Sequence, residues 1–262
     1  MPTSHPTDLR PGDAYVQSFA RGLEVIRSFS AAAPRQTLTE VATRTGLTRA
    51  GARRILLTLQ SLGYVQSDGK LFALTPRILD LGFAYLSSMP MWNVAEPLME
   101  ALVEEVKESC SAAVLEGGDI VYVLRVSTRK IMRNTLGIGS RLPAWCTSMG
   151  RMLLAGLPDD EVRALLHATP LEARTRHTLT DVDAVLAKVQ QARRQGWCLV
   201  NQELEEGLVS MAAPVTDRAG RTIAAINISG QVNRTSARVM QDTMLAPLRE
   251  AARAISQRVV GA

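Results

Sequence analysis

Between Thr37 and Gly63 the chain marks the ends of two short helices. Thr37-Leu-Thr-Glu40 is a capping box: the threonine hydroxyl accepts from the third residue's N–H and the glutamate reaches back to the threonine. Leu38, Val41 and Ala42 face inward, and Gly46 closes this helix. Thr48 then caps a second helix from Arg49 to about Leu62, with Ile55, Leu59 and Leu62 as its buried stripe, supported by Leu56. Two helices joined by so tight a turn, Arg44-Thr-Gly-Leu-Thr48, form a helix-turn-helix pattern. Ahead of them Tyr15 to Phe29 predicts another helix, with Phe19, Leu23, Ile26 and Phe29 on one stripe and Pro34 beyond its end. Behind them Asp68-Gly69 sits between the short runs Tyr64–Ser67 and Lys70–Leu74, a hairpin signal. Three helices and a hairpin make a winged helix-turn-helix, expected over residues 14–75.

The charge follows the same division. The formal net charge is +5. Residues 1–90 hold ten Lys/Arg against six Asp/Glu, a net +4, and the remainder twenty against nineteen. The second helix opens Arg49-Ala-Gly-Ala-Arg53-Arg54. Small residues let a helix approach the floor of a DNA major groove, and arginines reach phosphates or guanine edges. The expected DNA-binding residues are Thr37, Thr48, Arg49, Ala50, Gly51, Arg53 and Arg54, with Lys70 from the wing. The plainer alternative is a three-helix module that only mediates association.

Pro76–Ser88 fits a connecting helix, and Ser87-Ser-Met-Pro90 is the expected boundary. The expected organisation is thus a tail at 1–13, the winged helix, a linker helix at 76–90 and a larger domain at 91–262. Apolar residues at 46% exclude disordered and collagen-like classes, and no apolar run reaches the ~20 residues of a membrane span. The Pro-rich, polar N-terminus has no apolar core and does not read as a signal peptide. Cys110, Cys146 and Cys198 are too few and too scattered for a disulfide framework, so a cytoplasmic protein with reduced thiols is expected.

In the larger domain, helices are expected at 93–109, 147–156, 159–167, 181–195 and 236–259. Strands are expected at 112–116, 120–126, 131–136, 209–215 and 222–229. Strand runs between long helices, with a late hairpin, predict an α+β fold with a mixed or antiparallel sheet covered by helices.

Catalytic signals are weak. Cys146 lies before a helix start at Thr147-Ser148, where a thiol pKa can fall, and makes a small-acid-converting enzyme the alternative reading. Its plainer reading is a half-buried residue lining a cavity. His5, His167 and His177 do not cluster with cysteines at ligand spacing, so neither metal nor cofactor is expected. Glu203-Leu-Glu205-Glu206 reads as a solvated or partner-facing run rather than a cation site. Gly137-Ile-Gly139 is no dinucleotide fingerprint, and Ser229-Gly230 lacks the nucleophile-elbow frame.

Binding reads better. Arg141-Leu-Pro-Ala-Trp-Cys-Thr-Ser148 mixes a guanidinium, an aromatic and hydroxyls after a strand. Asn201, Ser210, Asn227 and Ser229 add polar atoms beside apolar strands, the last two on one face. An apolar pocket with a few convergent polar groups suits a small organic ligand. The Thr147 helix start favours a carboxylate, and Arg133 or Arg141 is positioned to pair with it or to lie at the surface.

These blocks together resemble the IclR family of bacterial transcription regulators. The resemblance covers roughly residues 14–260 and is carried by Thr37-Leu-Thr-Glu-Val-Ala, Thr45-Gly-Leu-Thr-Arg49, Leu59-Gln-Ser-Leu-Gly-Tyr-Val65, Leu74-Thr-Pro-Arg77, Gly196-Trp-Cys198, Glu203-Leu-Glu-Glu-Gly-Leu208, Ala212-Ala-Pro-Val215 and Ile226-Asn-Ile-Ser-Gly230. Thr48–Arg54 and Leu136–Arg151 look like the β-ketoadipate-pathway branch, whose members control catabolism of aromatic acids such as protocatechuate and 4-hydroxybenzoate. The resemblance implies a winged helix, a linker helix and a GAF-like effector domain, assembled as a dimer or dimer of dimers. It places effector-lining positions at Asn134, Leu142, Ser148, Met149, Val200, Asn201, Leu208, Ser210, Asn227 and Ser229, to which Arg141 is added from the residues themselves. Val200 and Asn201 stand where the family often has acidic residues, and Ser210 where it often has Cys, which fits an anionic or phenolic effector. The expected function is a DNA-binding regulator acting on a roughly palindromic duplex operator, modulated by a small organic acid, contacting RNA polymerase if it activates.

Overall fold

The computed structural model describes residues 15–128 and 136–259, which divide into two compact units, one running to Tyr85 and the other from Leu86. The tail expected at 1–13, most of the strand expected at 131–136, and the candidates Arg133 and Asn134 lie outside the described residues.

In the first unit α1 (Gln17–Arg27), β1 (Arg35–Thr37), α2 (Leu38–Thr45) and α3 (Arg49–Ser61) precede the hairpin β2 (Val65–Ser67) and β3 (Leu71–Leu74). The caps act as their residues dictate. Thr37 N–H donates to Glu40 Oε2 at 2.7 Å, and Glu40 N–H to Thr37 Oγ1 at 3.3 Å. Gly46 takes the left-handed conformation at φ +65°, which only glycine adopts without strain, and the chain turns into α3. The Thr48 hydroxyl accepts from Gly51 N–H at 3.1 Å. At the hairpin, Asp68 Oδ1 accepts from the N–H groups of Lys70 and Leu71, and these bonds hold its carboxyl below the usual range.

Val25, Val41, Ala42, Ala52, Leu56, Leu59 and Val65 form the core of this unit. Each larger side chain removed from water contributes about 1.5–3 kcal/mol. Two expected stripes are corrected. On α1 only Val25 is fully buried, and Phe19 and Leu23 stay exposed, because the small core covers one line of that helix. On α3 the stripe is Ala52, Leu56 and Leu59, while Leu62 is the exposed C-cap residue. Strand β1, too short for a period-2 signal, pairs with β3 and completes a three-stranded sheet in the order β1-β3-β2. The connecting segment is a 3-10 turn, Pro76–Ile78, followed by α4 (Leu79–Ser87).

The second unit is built on one six-stranded, wholly antiparallel sheet. Its strands are β4 (Ser109–Glu116), β5 (Asp119–Val126), β6 (Arg141–Pro143), β7 (Cys198–Asn201), β8 (Leu208–Thr216) and β9 (Thr222–Gln231), in the order β6-β5-β4-β9-β8-β7. Alternation along β9 shows how the sheet is covered: Ile226 and Ile228 enter one apolar cluster, while Ala225 enters the other. The first face lies under α5 (Met91–Val106) and α9 (Ala237–Arg258). The second lies under α6 (Ser148–Leu154), with α8 (Val182–Gln195) packed on α6 and α7 (Asp159–Ala168) on α8. Gly150 makes the α6 packing possible: a Cβ there would collide with the Ala144 carbonyl.

Candidate functional site

The first unit presents a basic groove of about 530 Å3 between α3 and the hairpin. Arg49, Arg53, Leu57 and Gln60 form its helix wall, spaced so that they share one side of α3. Thr37, Leu38 and Thr39 close one side, and Ser67, Gly69, Lys70 and Phe72 come from the hairpin. Of the expected DNA-binding residues, Thr37, Arg49, Arg53 and Lys70 line this groove. Thr48, Ala50 and Arg54 lie outside it, exposed on and just before the first turns of α3, and Gly51 sits half-buried against the Thr48 hydroxyl. Arg49, Arg53, Arg54 and Lys70 form no ion pair among the described residues, so their charge is open to an external anion.

The second unit holds a partly open cavity between the sheet and α6. Its lining is Tyr122, Arg125, Leu136, Cys146, Thr147, Ser148, Met149, Val200, Leu204, Leu208, Ser210, Asn227 and Ser229. The free volume is about 30 Å3, the room of a water molecule or two rather than an aromatic ring.

Two cross-strand rows of residues build its floor. In one, Arg125 on β5 faces Ser111 on β4, which faces Asn227 on β9. Arg125 Nη1 donates to Ser111 Oγ at 3.2 Å, and Ser111 N–H donates to Asn227 Oδ1 at 3.0 Å. In the other, Ser109, Ser229, Ser210 and Val200 stand side by side on β4, β9, β8 and β7. The roof comes from α6, whose N-cap Thr147 accepts from Gly150 N–H at 3.2 Å. Ser148 follows it, almost wholly buried, and its hydroxyl has no hydrogen-bond partner among the described residues.

Seven expected effector residues line the cavity: Ser148, Met149, Val200, Leu208, Ser210, Asn227 and Ser229. Three do not. Arg141 lies on the edge strand β6, where Glu116 and Asp119 of the β4–β5 turn take its guanidinium at 2.6 and 3.2 Å. Leu142 packs at the margin of the apolar cluster, and Asn201 is exposed at the end of β7. Thr147, expected as a helix start favouring a carboxylate, lines the cavity too, and Tyr122, Arg125, Leu136 and Leu204 join the lining without having been expected there.

Arg125 was hidden by a β-bulge. The register slips between Ala112 and Ala113, opposite Leu124 and Tyr122. Val123 and Leu124 therefore both enter the opposite apolar cluster, and Tyr122 and Arg125, three residues apart, share the cavity face. Strict alternation from Tyr122 points to Leu124 instead.

The acidic run is also corrected. Glu203 is not solvated: its carboxylate takes Arg151 Nη1 at 2.7 Å and Nη2 at 2.6 Å, with Arg151 1% and Glu203 8% exposed. Arg151 Nε donates to the Trp145 carbonyl at 2.9 Å. This bidentate pair ties α6 to the 202–207 loop, and both carry cavity residues. Glu205 and Glu206 remain exposed.

Cys146 lines the cavity but is not activated. It is fully buried, and burial pushes its thiol up to about 11, the opposite of what a nucleophile at neutral pH needs. Burial raises Cys198 to about 11 as well, and raises Cys110 further. Among the described residues no group of three His, Cys, Asp or Glu side chains converges as a metal site, and no helix is long and apolar enough to cross a membrane.

Comparison with known proteins places this architecture. A family profile described as the IclR helix-turn-helix domain matches residues 18–69, and one described as the C-terminal domain of the bacterial transcriptional regulator IclR matches 83–257. The Pca regulon regulatory protein of Pseudomonas putida is 42% identical, over 94% of this chain and 85% of that protein. A crystal structure of a Rhodococcus sp. transcriptional regulator is 49% identical with a TM-score of 0.84, covering 94% of this chain and 98% of that one. A structure of an IclR homologue from Microbacterium hydrocarbonoxydans, complexed with 4-hydroxybenzoate, is 25% identical with a TM-score of 0.80, covering 92% and 98%.

Proposed function

The chain belongs to the IclR family of bacterial transcriptional regulators, and from that membership we propose that it controls aromatic-acid catabolism in response to an aromatic acid bound in the second-unit cavity. The observation that carries this reading is the cavity itself: an apolar pocket over a floor of serines and Asn227, with Arg125 at one side and no carboxylate among its described lining residues. Such a site accepts an anionic, hydroxylated ring and repels nothing in it. The 4-hydroxybenzoate bound to the Microbacterium homologue and the Pca regulon role of the Pseudomonas relative support the same class.

The free volume is too small for a ring, so binding selects a conformer in which the α6 roof, with Met149, has moved outward from the sheet. The ligand shifts the regulator only as far as its differential affinity for the two conformers allows.

On the DNA side, α3 enters the major groove with Arg49, Arg53 and Arg54, while Thr37, Thr48 and Lys70 meet the backbone and Ala50 and Gly51 permit close approach. The regulator acts in the cytoplasm as a homodimer or dimer of dimers on a roughly palindromic operator, with residues 76–90 as the linker. Support for self-association is the exposure of large apolar side chains, Phe19 at 67% and Leu79 and Phe83 at 70%. Where it activates, it also contacts RNA polymerase.

A thermal-shift screen of the full chain against 4-hydroxybenzoate, protocatechuate and non-aromatic acids tests the effector class. Stabilisation by an aromatic acid is expected. A response confined to non-aromatic acids would remove the aromatic assignment.

A further inference from the structure

Among the described residues Arg125, Arg141, Arg151 and Arg174 lie near the cavity wall in sequence or space, and the structure separates their roles: Arg174, whose charge acts on Cys146, is exposed and outside the lining. Arg141 is taken by Glu116 and Asp119 on the sheet edge, and Arg151 is sealed against Glu203. Arg125 alone among the described lining residues brings a cation to the cavity. It is half-buried; among the described residues its one side-chain hydrogen bond is to a neutral serine hydroxyl, and no carboxylate pairs with it. A guanidinium carries five donors in a rigid fork, and a half-buried one without an anion is incompletely satisfied.

The bulge at Ala112/Ala113 turns Arg125 onto this face, where regular pleating would send it to the other cluster. Ser111 and Asn227 then hold the floor beside it: the Asn227 carbonyl oxygen is committed to Ser111 N–H, which leaves its amide N–H2 as a further donor. Ser148 also lines the cavity, and its buried hydroxyl has no partner among the described residues. A buried hydroxyl left alone is unfavourable, and a ligand's hydroxyl would satisfy it.

We infer that Arg125 is the carboxylate receptor of this site. The effector's charged end lies over the Arg125–Ser111–Asn227 row, and a polar substituent meets Ser148. The effector is therefore a carboxylate that also carries a hydrogen-bonding group on its apolar body. This rests on the reading of the cavity as the effector site.

Calorimetry on the full chain tests it, with 4-hydroxybenzoate and its neutral amide, 4-hydroxybenzamide, as probes against the natural sequence, Arg125→Gln and Arg125→Lys. The natural chain is expected to prefer the acid by about 10- to 100-fold, the range of a charge-assisted pair. Arg125→Gln is expected to bind acid and amide alike, and Arg125→Lys to keep the preference with acid affinity several-fold weaker. Equal binding of both probes by the natural chain, or an acid preference surviving in folded Arg125→Gln, overturns the assignment of Arg125 alone. If Arg125→Gln does not fold, unchanged acid affinity in Arg125→Lys overturns it. Failure of both probes to bind the natural chain at millimolar concentration overturns the aromatic-acid reading of the cavity, and this inference with it.

Discussion

Replacing either member of the Arg151–Glu203 pair should be among the most damaging changes in the second unit. In Glu203→Leu the Arg151 guanidinium, 1% exposed, loses two acceptors at 2.6–2.7 Å and keeps only the Trp145 carbonyl. In Arg151→Met the Glu203 carboxylate keeps only the Leu179 N–H at 3.3 Å. Removing one partner of a buried pair costs about 3–5 kcal/mol, because the remaining charge is stranded away from water. For a unit of this size that lowers Tm by roughly 6–20 °C. The double variant Arg151→Met with Glu203→Leu strands no charge. It should lie within about 2 kcal/mol of the natural sequence, a coupling of several kcal/mol. Trp92, Trp145 and Trp197 all belong to the second unit, so tryptophan emission during urea unfolding reports on that unit alone. Single variants within about 1 kcal/mol of the natural chain, or a double variant equal to the sum of the singles, would refute the claim that this pair anchors α6 to the 202–207 loop.

Arg53→Ala and Arg54→Ala should each weaken operator binding and reduce the slope of log K against log salt by about 0.9 for each DNA phosphate that is no longer neutralised. Equilibrium titrations at several salt concentrations check this, and slopes unchanged in both would remove α3 as the recognition helix. Gly150→Ala should destabilise the second unit by more than about 2 kcal/mol, since the added methyl meets the Ala144 backbone; a melting temperature within a degree of the natural chain would contradict the packing. Burial raises Cys146 from an ordinary value near 9 to about 11, so at pH 8 its thiolate fraction falls about 100-fold. Iodoacetamide should label the folded chain far more slowly than the urea-unfolded chain, and rapid labelling of Cys146 in the folded state would restore the case for a reactive thiol.

What could be read directly from the residues was whatever is specified locally. The Thr37–Glu40 box, Gly46, Thr48 and Asp68-Gly69 act within four residues of themselves, so the helix-turn-helix and its hairpin are legible in the sequence. The two longest sheet strands, β8 and β9, were legible from their apolar runs. The misses are long-range or irregular. Strands β1 and β6 are three residues each and exist only because partners pair with them. Glu203 and Arg151 are 52 residues apart, and nothing local separates a buried glutamate from the exposed Glu205 and Glu206 beside it. The cavity was half legible, because Ser210, Asn227 and Ser229 keep regular alternation. Arg125 does not: one bulged residue moved it to a face that period-2 reasoning denies it.

The central claim is that one chain couples duplex recognition in the first unit to an aromatic acid held in the second. The most direct measurement is fluorescence anisotropy of a duplex selected by the full chain from a random pool, titrated with and without saturating 4-hydroxybenzoate. The account predicts a selected sequence bound far above random DNA, and an affinity that 4-hydroxybenzoate changes by about 5-fold or more. A chain that binds random and selected duplexes alike, or whose operator affinity no aromatic acid alters, would contradict it.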